Sequence, residues 1–524
     1  MKQLVSVQKY FNAGTAESEG NILNDAFVPL ADFAEILTPP FASPRLLIGK
    51  KGSGKSAFVR SVQTRPKRAQ VPALLLKPKD IICNWPAEPA SLGDLTRQAE
   101  RSLLDAIGTV IGSQLSGYLS SEQNELLKLS QEAGIRDQDY IQKALSLLKP
   151  IGQAITKVDF DAFSAGLPVT AQKLKTIIES QLTPEGQLLY LFIDDTDQVA
   201  SPSAPNHLNR IWSLLLAIRF ILEECPHIRA IVTLRTEVWK RLSRDGGGQR
   251  DQVDHFRNLI YWLNPEDSNI AEILDRRLDL AKRDLGLTIT QDHYFPFFEG
   301  QSVKIPTSRD EYRSWSDFVV KRSRERPRDA IQMISALVDA AMKSSRETVT
   351  NAEVKDAVLA YSTERVEDLE REVSDECPQI KQVIRSFASV SYDESGFKLK
   401  AETLRDHLSG IPSRFGLTFM GIVFRPENDR HNAFTLWQFL HEIGFLNARA
   451  PDNRMPKGFR HIMMKDDSSL VSAARWNEVQ TLLWEVHPAY RDYLINISSE
   501  QEQAKAKQMG RSANSSNRRH RRRS

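Results

Sequence analysis

Arg45-Leu46-Leu47-Ile48-Gly49-Lys50-Lys51-Gly52-Ser53-Gly54-Lys55-Ser56 carries the phosphate-loop pattern G-x-x-x-x-G-K-[ST] in full. The pattern stands between an apolar strand and a helix whose apolar side is Ala57, Phe58, Val59 and Val62, which is the context it needs. Glycines at 49, 52 and 54 let the backbone wrap around Lys50, Lys51 and Ser53 so that successive N–H groups point at a β-phosphate. The helix beginning near Ser53 aims its positive end at the same anion. Lys55 then reaches the β- and γ-phosphates, and the Ser56 hydroxyl is placed to ligate Mg²⁺. The stretch predicts ATP and Mg²⁺ as cofactors.

A second apolar run, Leu188-Leu189-Tyr190-Leu191-Phe192-Ile193, ends in Asp194-Asp195. Uninterrupted apolar runs of this kind are central parallel strands buried on both faces, and their C-terminal ends form the edge where ligands bind. Asp194 is the expected Mg²⁺ partner and Asp195 the residue expected to polarise the attacking water. Asp197 is a third acid nearby, as well suited to capping the next turn. A third strand, Ile228 to Leu234, follows an amphipathic helix (Leu208, Ile211, Leu214, Leu215, Ile218, Leu222) and ends in Arg235. A cation at that strand tip lies near the γ-phosphate, so Arg235 is a candidate catalytic sensor; its alternative is a pair with Glu237.

Ile193-Asp194-Asp195-Thr196-Asp197 resembles the I-D-D-x-D segment of KAP-type ATPases, and the aspartate pair with a later arginine resembles the signal-transducing P-loop ATPases called STAND. Arg326-Pro327-Arg328-Asp329 is similar to the sensor-2 segment of AAA+ proteins of the origin-recognition type. The resemblance covers roughly residues 30 to 365. It implies a helical lid whose Arg328, or alternatively Arg326, faces the γ-phosphate, and an N-terminal leader packed near the base of the nucleotide. Asp195 stands where AAA+ proteins usually carry glutamate, and no arginine finger follows the second motif, so the resemblance implies slow rather than ring-type hydrolysis.

With 524 residues and 41% apolar content the chain has material for three or more domains, and no run approaches the roughly 18 apolar residues that span a bilayer. The polar start after Met1-Lys2-Gln3-Leu4-Val5 does not fit a secretory signal. Cys83, Cys225 and Cys377 are far apart and lack metal-ligand spacing, which points to reduced thiols in a cytoplasmic setting and away from a zinc site.

The expected fold class is α/β: a P-loop parallel sheet with a large helical insertion, a helical lid and a C-terminal winged-helix-like domain. The expected boundaries are a leader at 1–44, an ATPase core at 45–264 interrupted by a helical insertion at about 92–181, the lid at 265–365, the winged-helix-like domain at 380–495 and a disordered basic tail at 496–524. The insertion reads either as a partner surface or as a bulky crossover. Gly246-Gly247-Gly248 reads as a flexible turn. The net charge is only +3, whereas the tail ends Arg518-Arg519-His520-Arg521-Arg522-Arg523, an asymmetry that suits nucleic acid.

These features together predict an ATP-binding, slowly hydrolysing switch. The resemblance to KAP and STAND proteins adds a prokaryotic sensing or antiviral-defence role with a separate protein effector or self-association. Two alternatives stay open: a DNA-binding initiator or loader that uses the winged helix and tail, and a nucleotide-binding scaffold that does not hydrolyse.

Overall fold

In the computed structural model, residues 2–12, 16–30, 33–64, 73–77, 90–114, 170–182, 188–198, 207–244, 250–306, 310–392, 396–426, 429–455, 458–464, 466–467 and 469–520 are described. The chain divides into two compact units. A P-loop unit comprises Thr15–Asn269 and Arg326–Arg328, and a helical unit comprises Met1–Gly14, Ile270–Glu325 and Asp329–Ser524.

The P-loop unit is built on five parallel strands: β1 (Arg45–Gly49), β2 (Ala73–Leu76), β3 (Leu189–Ile193), β4 (Ile228–Arg235) and β5 (Ile260–Trp262). Their order across the sheet is β2-β3-β4-β1-β5, so β4 separates the strand of the phosphate loop from the strand of the aspartate pair. Period-two alternation divides each apolar run between two cores. Leu46, Ile48, Leu191, Ile193, Ala230 and Val232 enter one core, and Leu47, Phe192 and Ile231 enter the other. This two-sided burial explains why the runs are continuously apolar rather than alternating.

Helices Leu92–Gln114, Ala171–Leu182 and His207–Glu224 fill the first core through residues such as Leu103, Ile107, Ile178, Leu215 and Ile218. Lys175, nearly buried among these helices, pairs with Glu100 at 2.9 Å and Glu224 at 2.6 Å. Burial alone would push its ammonium down, but hydrogen bonds to those two carboxylates hold it above its ordinary value. The two described ends of the expected insertion are therefore part of the core; residues 115–169, its middle, and Gly246–Gly248 lie outside the described residues.

The leader divides between the units. Phe33 packs on Phe58 of the P-loop helix at 4.9 Å, whereas Met1–Gly14 belongs to the helical unit. There, Ser6 Oγ donates to the Ala281 carbonyl at 3.0 Å and Gln8 donates to Asp339 at 2.8 Å. This corrects the expectation that the leader as a whole packs near the base of the nucleotide. The reason is its first apolar stripe (Leu4, Val7, Phe11), which is buried in the helical unit.

The helical unit contains Asp267–Asp284 (from Ile270 onward), Pro327–Lys343 (from Asp329 onward) and Asn351–Val373. Thr350 and Glu353 form a reciprocal capping box at the start of the last of these, which runs through the boundary drawn at 365. Further on, Lys398–Lys400, Leu446–Pro451, Phe459–Ile462 and Leu483–Val486 make a four-stranded antiparallel sheet. Gly444, at φ 71°, turns helix Asp429–Glu442 toward the first strand of the hairpin. Trp437 and Trp484 meet edge to face at 4.8 Å where that helix covers the sheet.

The tail is also corrected. Helix Pro488–His520 runs through the segment expected to lack structure, leaving 521–524 outside the described residues. Its first turns are anchored by buried Tyr490, Leu494 and Ile497, and the following Glu-Gln-Ala-Lys stretch consists of strong helix formers that propagate the nucleus.

Candidate nucleotide site

The C-terminal edge of the sheet gathers most residues singled out by the sequence. At Gly49 a Cβ would meet Ser53 Oγ at 2.5 Å and the Leu263 carbonyl at 3.0 Å, so only glycine lets β1 enter the loop here. Gly52 adopts φ +82°, and a Cβ there would meet the Cβ of Arg328 at 3.2 Å. Helix Lys55–Thr64 begins two residues later than the sequence suggested, which leaves Ser53 within the loop. The Lys55 ammonium donates to the carbonyls of Gly49 at 2.8 Å and Lys50 at 3.1 Å, so it lies over the loop. Ser53 Oγ is buried without a hydrogen-bond partner among the described residues. An orphaned hydroxyl in a cradle that a Cβ would fill fits a bound phosphate.

The two aspartates occupy different environments. Asp194 is almost fully buried and accepts from Thr233 Oγ1 at 2.5 Å. Asp195 is half-buried in a left-handed conformation (φ 56°), which aspartate tolerates better than most residues, and pairs with Lys77 Nζ at 3.2 Å. Thr233 Oγ1 also receives the Asp195 N–H at 3.3 Å, and Thr196 Oγ1 donates to the Thr233 carbonyl at 2.6 Å. Asp197 lies in the short 3₁₀ turn Thr196–Gln198.

Arg235 is the last residue of β4 and the register partner of Gly49, which places its backbone beside the mouth of the phosphate loop. Arg328 donates its backbone N–H toward the Gly52 carbonyl at 3.4 Å, and Arg326 is buried close by. The helix that follows begins at Pro327, after a bend in which Arg324 and Glu325 both have positive φ. Proline at the first helical position lacks the N–H that would be unsatisfied there anyway.

Sequence reading passed over Thr233 and Lys77. Thr233 left a signal, being the one polar residue in Ala230-Ile231-Val232-Thr233-Leu234. Lys77 follows the apolar run of β2 just as Arg235 closes that of β4, so the reasoning applied to Arg235 would have found it. Cys225 and Cys377 are buried free thiols, which burial pushes up to about 12 and about 11 respectively; Cys83 lies outside the described residues. Among the described residues no cluster of histidine, cysteine and carboxylate side chains suits a metal ion by itself, and no helix is long and apolar enough to cross a membrane.

Residues 271–370 match the family described as a FunZ-associated C-terminal helical domain. Over 97% of its length the chain is 23% identical to 73% of an 80.3 kDa Escherichia coli K12 protein ascribed to transposon gamma-delta. Solved structures that align with it include the Aeropyrum pernix ORC2 protein in ADPNP–ADP complexes (12% identity, 92% of each chain, TM-score 0.39). The Aeropyrum pernix ORC1 protein in complex with DNA aligns at 13% identity over 84% of this chain and 90% of that one, with a TM-score of 0.34. The fold class stands on this chain's own strand order and loop geometry: a P-loop α/β protein with a helical C-terminal region.

Proposed function

We propose that the chain is an ATP-binding, slowly hydrolysing molecular switch of the AAA+ type. The observation that carries the reading is the convergence on one sheet edge of the Gly49–Ser56 loop, the Asp194–Asp195 pair and Arg235, with Arg328 on the loop backbone. Loop N–H groups and Lys55 would hold the triphosphate, with Ser56 and Asp194 on Mg²⁺. The ion, when bound, would neutralise charge developing on the phosphates. Thr233 holds the Asp194 carboxylate in place, and Asp195 orients the attacking water and accepts its proton. Arg235 and Arg328, with Arg326 as the alternate, report the γ-phosphate. The likeness of the aspartate segment to KAP and STAND proteins favours a switch over a processive motor. A defence role and a separate effector chain find no support in the fold or in these relatives.

A second reading, a DNA-binding initiator or loader, draws on the C-terminal helices and antiparallel sheet, which the sequence suggested as a winged helix, and on the basic tail. The Escherichia coli relative's description as a transposon protein favours DNA among the anions such a tail could bind. ATP hydrolysis assayed with and without duplex DNA separates the two: stimulation by DNA supports the initiator. Asp195→Asn should keep ATP binding and stop turnover in either case, because an amide can orient water but cannot take its proton. Undiminished hydrolysis in that variant removes Asp195 from the mechanism.

A further inference from the structure

The residues on either side of Arg326–Arg328 belong to the helical unit and form a buried ionic cluster. Asp329 accepts from Arg324 Nε at 3.1 Å and from an Arg365 guanidinium nitrogen at 2.8 Å, and Arg365 also pairs with Asp368 at 2.8 Å. Arg324 donates to the hydroxyl of Tyr490, in the first turn of helix Pro488–His520. The Tyr361 hydroxyl donates to the Arg322 carbonyl at 2.8 Å, and the Tyr493 N–H donates to Ser362 Oγ at 3.1 Å. Arg324, Asp329, Arg365 and Tyr490 are each at most 6% exposed. Two consecutive non-glycine residues, Arg324 and Glu325, are held at φ 56° and 58° just before the segment that touches the P-loop. Such a bend persists only where its surroundings over-determine it, and the Arg324 hydrogen bonds supply that constraint.

We propose that Arg324, Asp329 and Tyr490 are positioning residues for Arg326 and Arg328, and that the Arg324–Tyr490 hydrogen bond couples the nucleotide on the P-loop to the C-terminal helix. The inference rests on the ATP-switch reading and extends it. Asp329 fixes the first turn of the helix that carries Arg328, and Tyr490 fixes Arg324 to the helix that leads into the basic tail. Whatever favours one arrangement of Arg328 over another therefore biases the start of helix Pro488–His520, and the dependence is reciprocal.

The test uses the full chain with fluorescent ATP and ADP analogues. Wild type is expected to bind the ATP analogue more tightly than the ADP analogue. Tyr490→Phe keeps the ring against Phe445 and removes only the hydroxyl that Arg324 uses; it should lower that preference roughly fivefold at unchanged ADP affinity. Tyr392→Phe, which removes a tyrosine hydroxyl bonded to the Phe387 carbonyl in the same unit, should leave the preference unchanged. An unchanged preference in Tyr490→Phe overturns the proposal, as does a wild type that binds both nucleotides equally, and either result leaves the P-loop reading standing. A wild type that binds neither removes that reading and this proposal together. Should Tyr490→Phe fail to fold, amide exchange in wild type decides: residues 488–497 exchange more slowly with the ATP analogue than with ADP, or the coupling is absent.

Discussion

The edge of the P-loop unit and the Asp329 cluster of the helical unit handle charge in opposite ways. At the edge, Lys55 rests on two neutral carbonyls and Asp194 on a hydroxyl, while Asp195 and Lys77 form a partly exposed pair. Around Asp329, two arginines and two aspartates balance one another, the ion pairs to Asp329 lying almost entirely out of water. The first arrangement leaves charge for a ligand to complete; the second consumes its charge internally and gives rigidity in return. Mutations should therefore cost binding at the edge and stability at the cluster.

Lys55→Ala is the largest expected effect. Removing the cation proposed to hold the β- and γ-phosphates should weaken ATP binding about 1000-fold, roughly 4 kcal/mol, while the melting temperature without nucleotide changes little. Titration calorimetry and a thermal melt check both halves. Unchanged ATP affinity would refute the site. At the cluster the signs reverse: Asp329→Asn leaves Arg324 and Arg365 short of a counter-charge and should cost about 3–5 kcal/mol of stability in denaturant unfolding. A stable Asp329→Asn protein would mean that water reaches the cluster.

The same contrast governs what was legible in the sequence. The edge is written in contiguous residues: Gly49 to Ser56 supplies the loop, Asp194 ends one apolar run and Arg235 ends another. Each can be placed by strand period and motif spacing alone. The cluster joins Arg324, Asp329, Arg365 and Tyr490, whose meeting depends on helix packing between distant segments; Asp329 stood in a segment the sequence singled out, but the local pattern of none of the four reveals its partners. Thr233 falls between these cases, since its polarity was visible but its partner depended on β4 lying beside β3. The tail was misread because composition was weighed without the packed helical turns around Tyr490 that precede it.

His407 extends the comparison to pH. Its ring is buried against Phe387 and bonds Ser386 Oγ at 2.9 Å; burial first, and then the charge of Arg414, pushes the imidazole down to about 4. A base whose folded value lies below its unfolded value of about 6.5 leaves the unfolded state holding more protons, so stability falls as pH drops from about 6.5 to 4. The loss from this residue should reach about 3 kcal/mol at the acid end, and His407→Gln should flatten the stability profile across that window. A profile equally steep in the variant assigns the acid sensitivity to other groups.

Lys77→Met should have the smallest effect on stability, although the pair it breaks is among the most prominent at the edge. The side chains of Lys77 and Asp195 are 21% and 29% exposed, so solvent screens their attraction, and each ion stays hydrated once the other is gone. Ion pairs in that setting contribute about 0.2–1 kcal/mol, against the several expected at Asp329. The left-handed turn at Asp195 does not depend on Lys77 either, because Thr233 still accepts the Asp195 N–H and Thr196 still bonds the Thr233 carbonyl. Denaturant unfolding of Lys77→Met beside Asp329→Asn gives the comparison directly. A loss above about 2 kcal/mol in Lys77→Met would show that the edge, like the cluster, relies on its ion pair to hold the backbone, and the distinction between the two regions would fail.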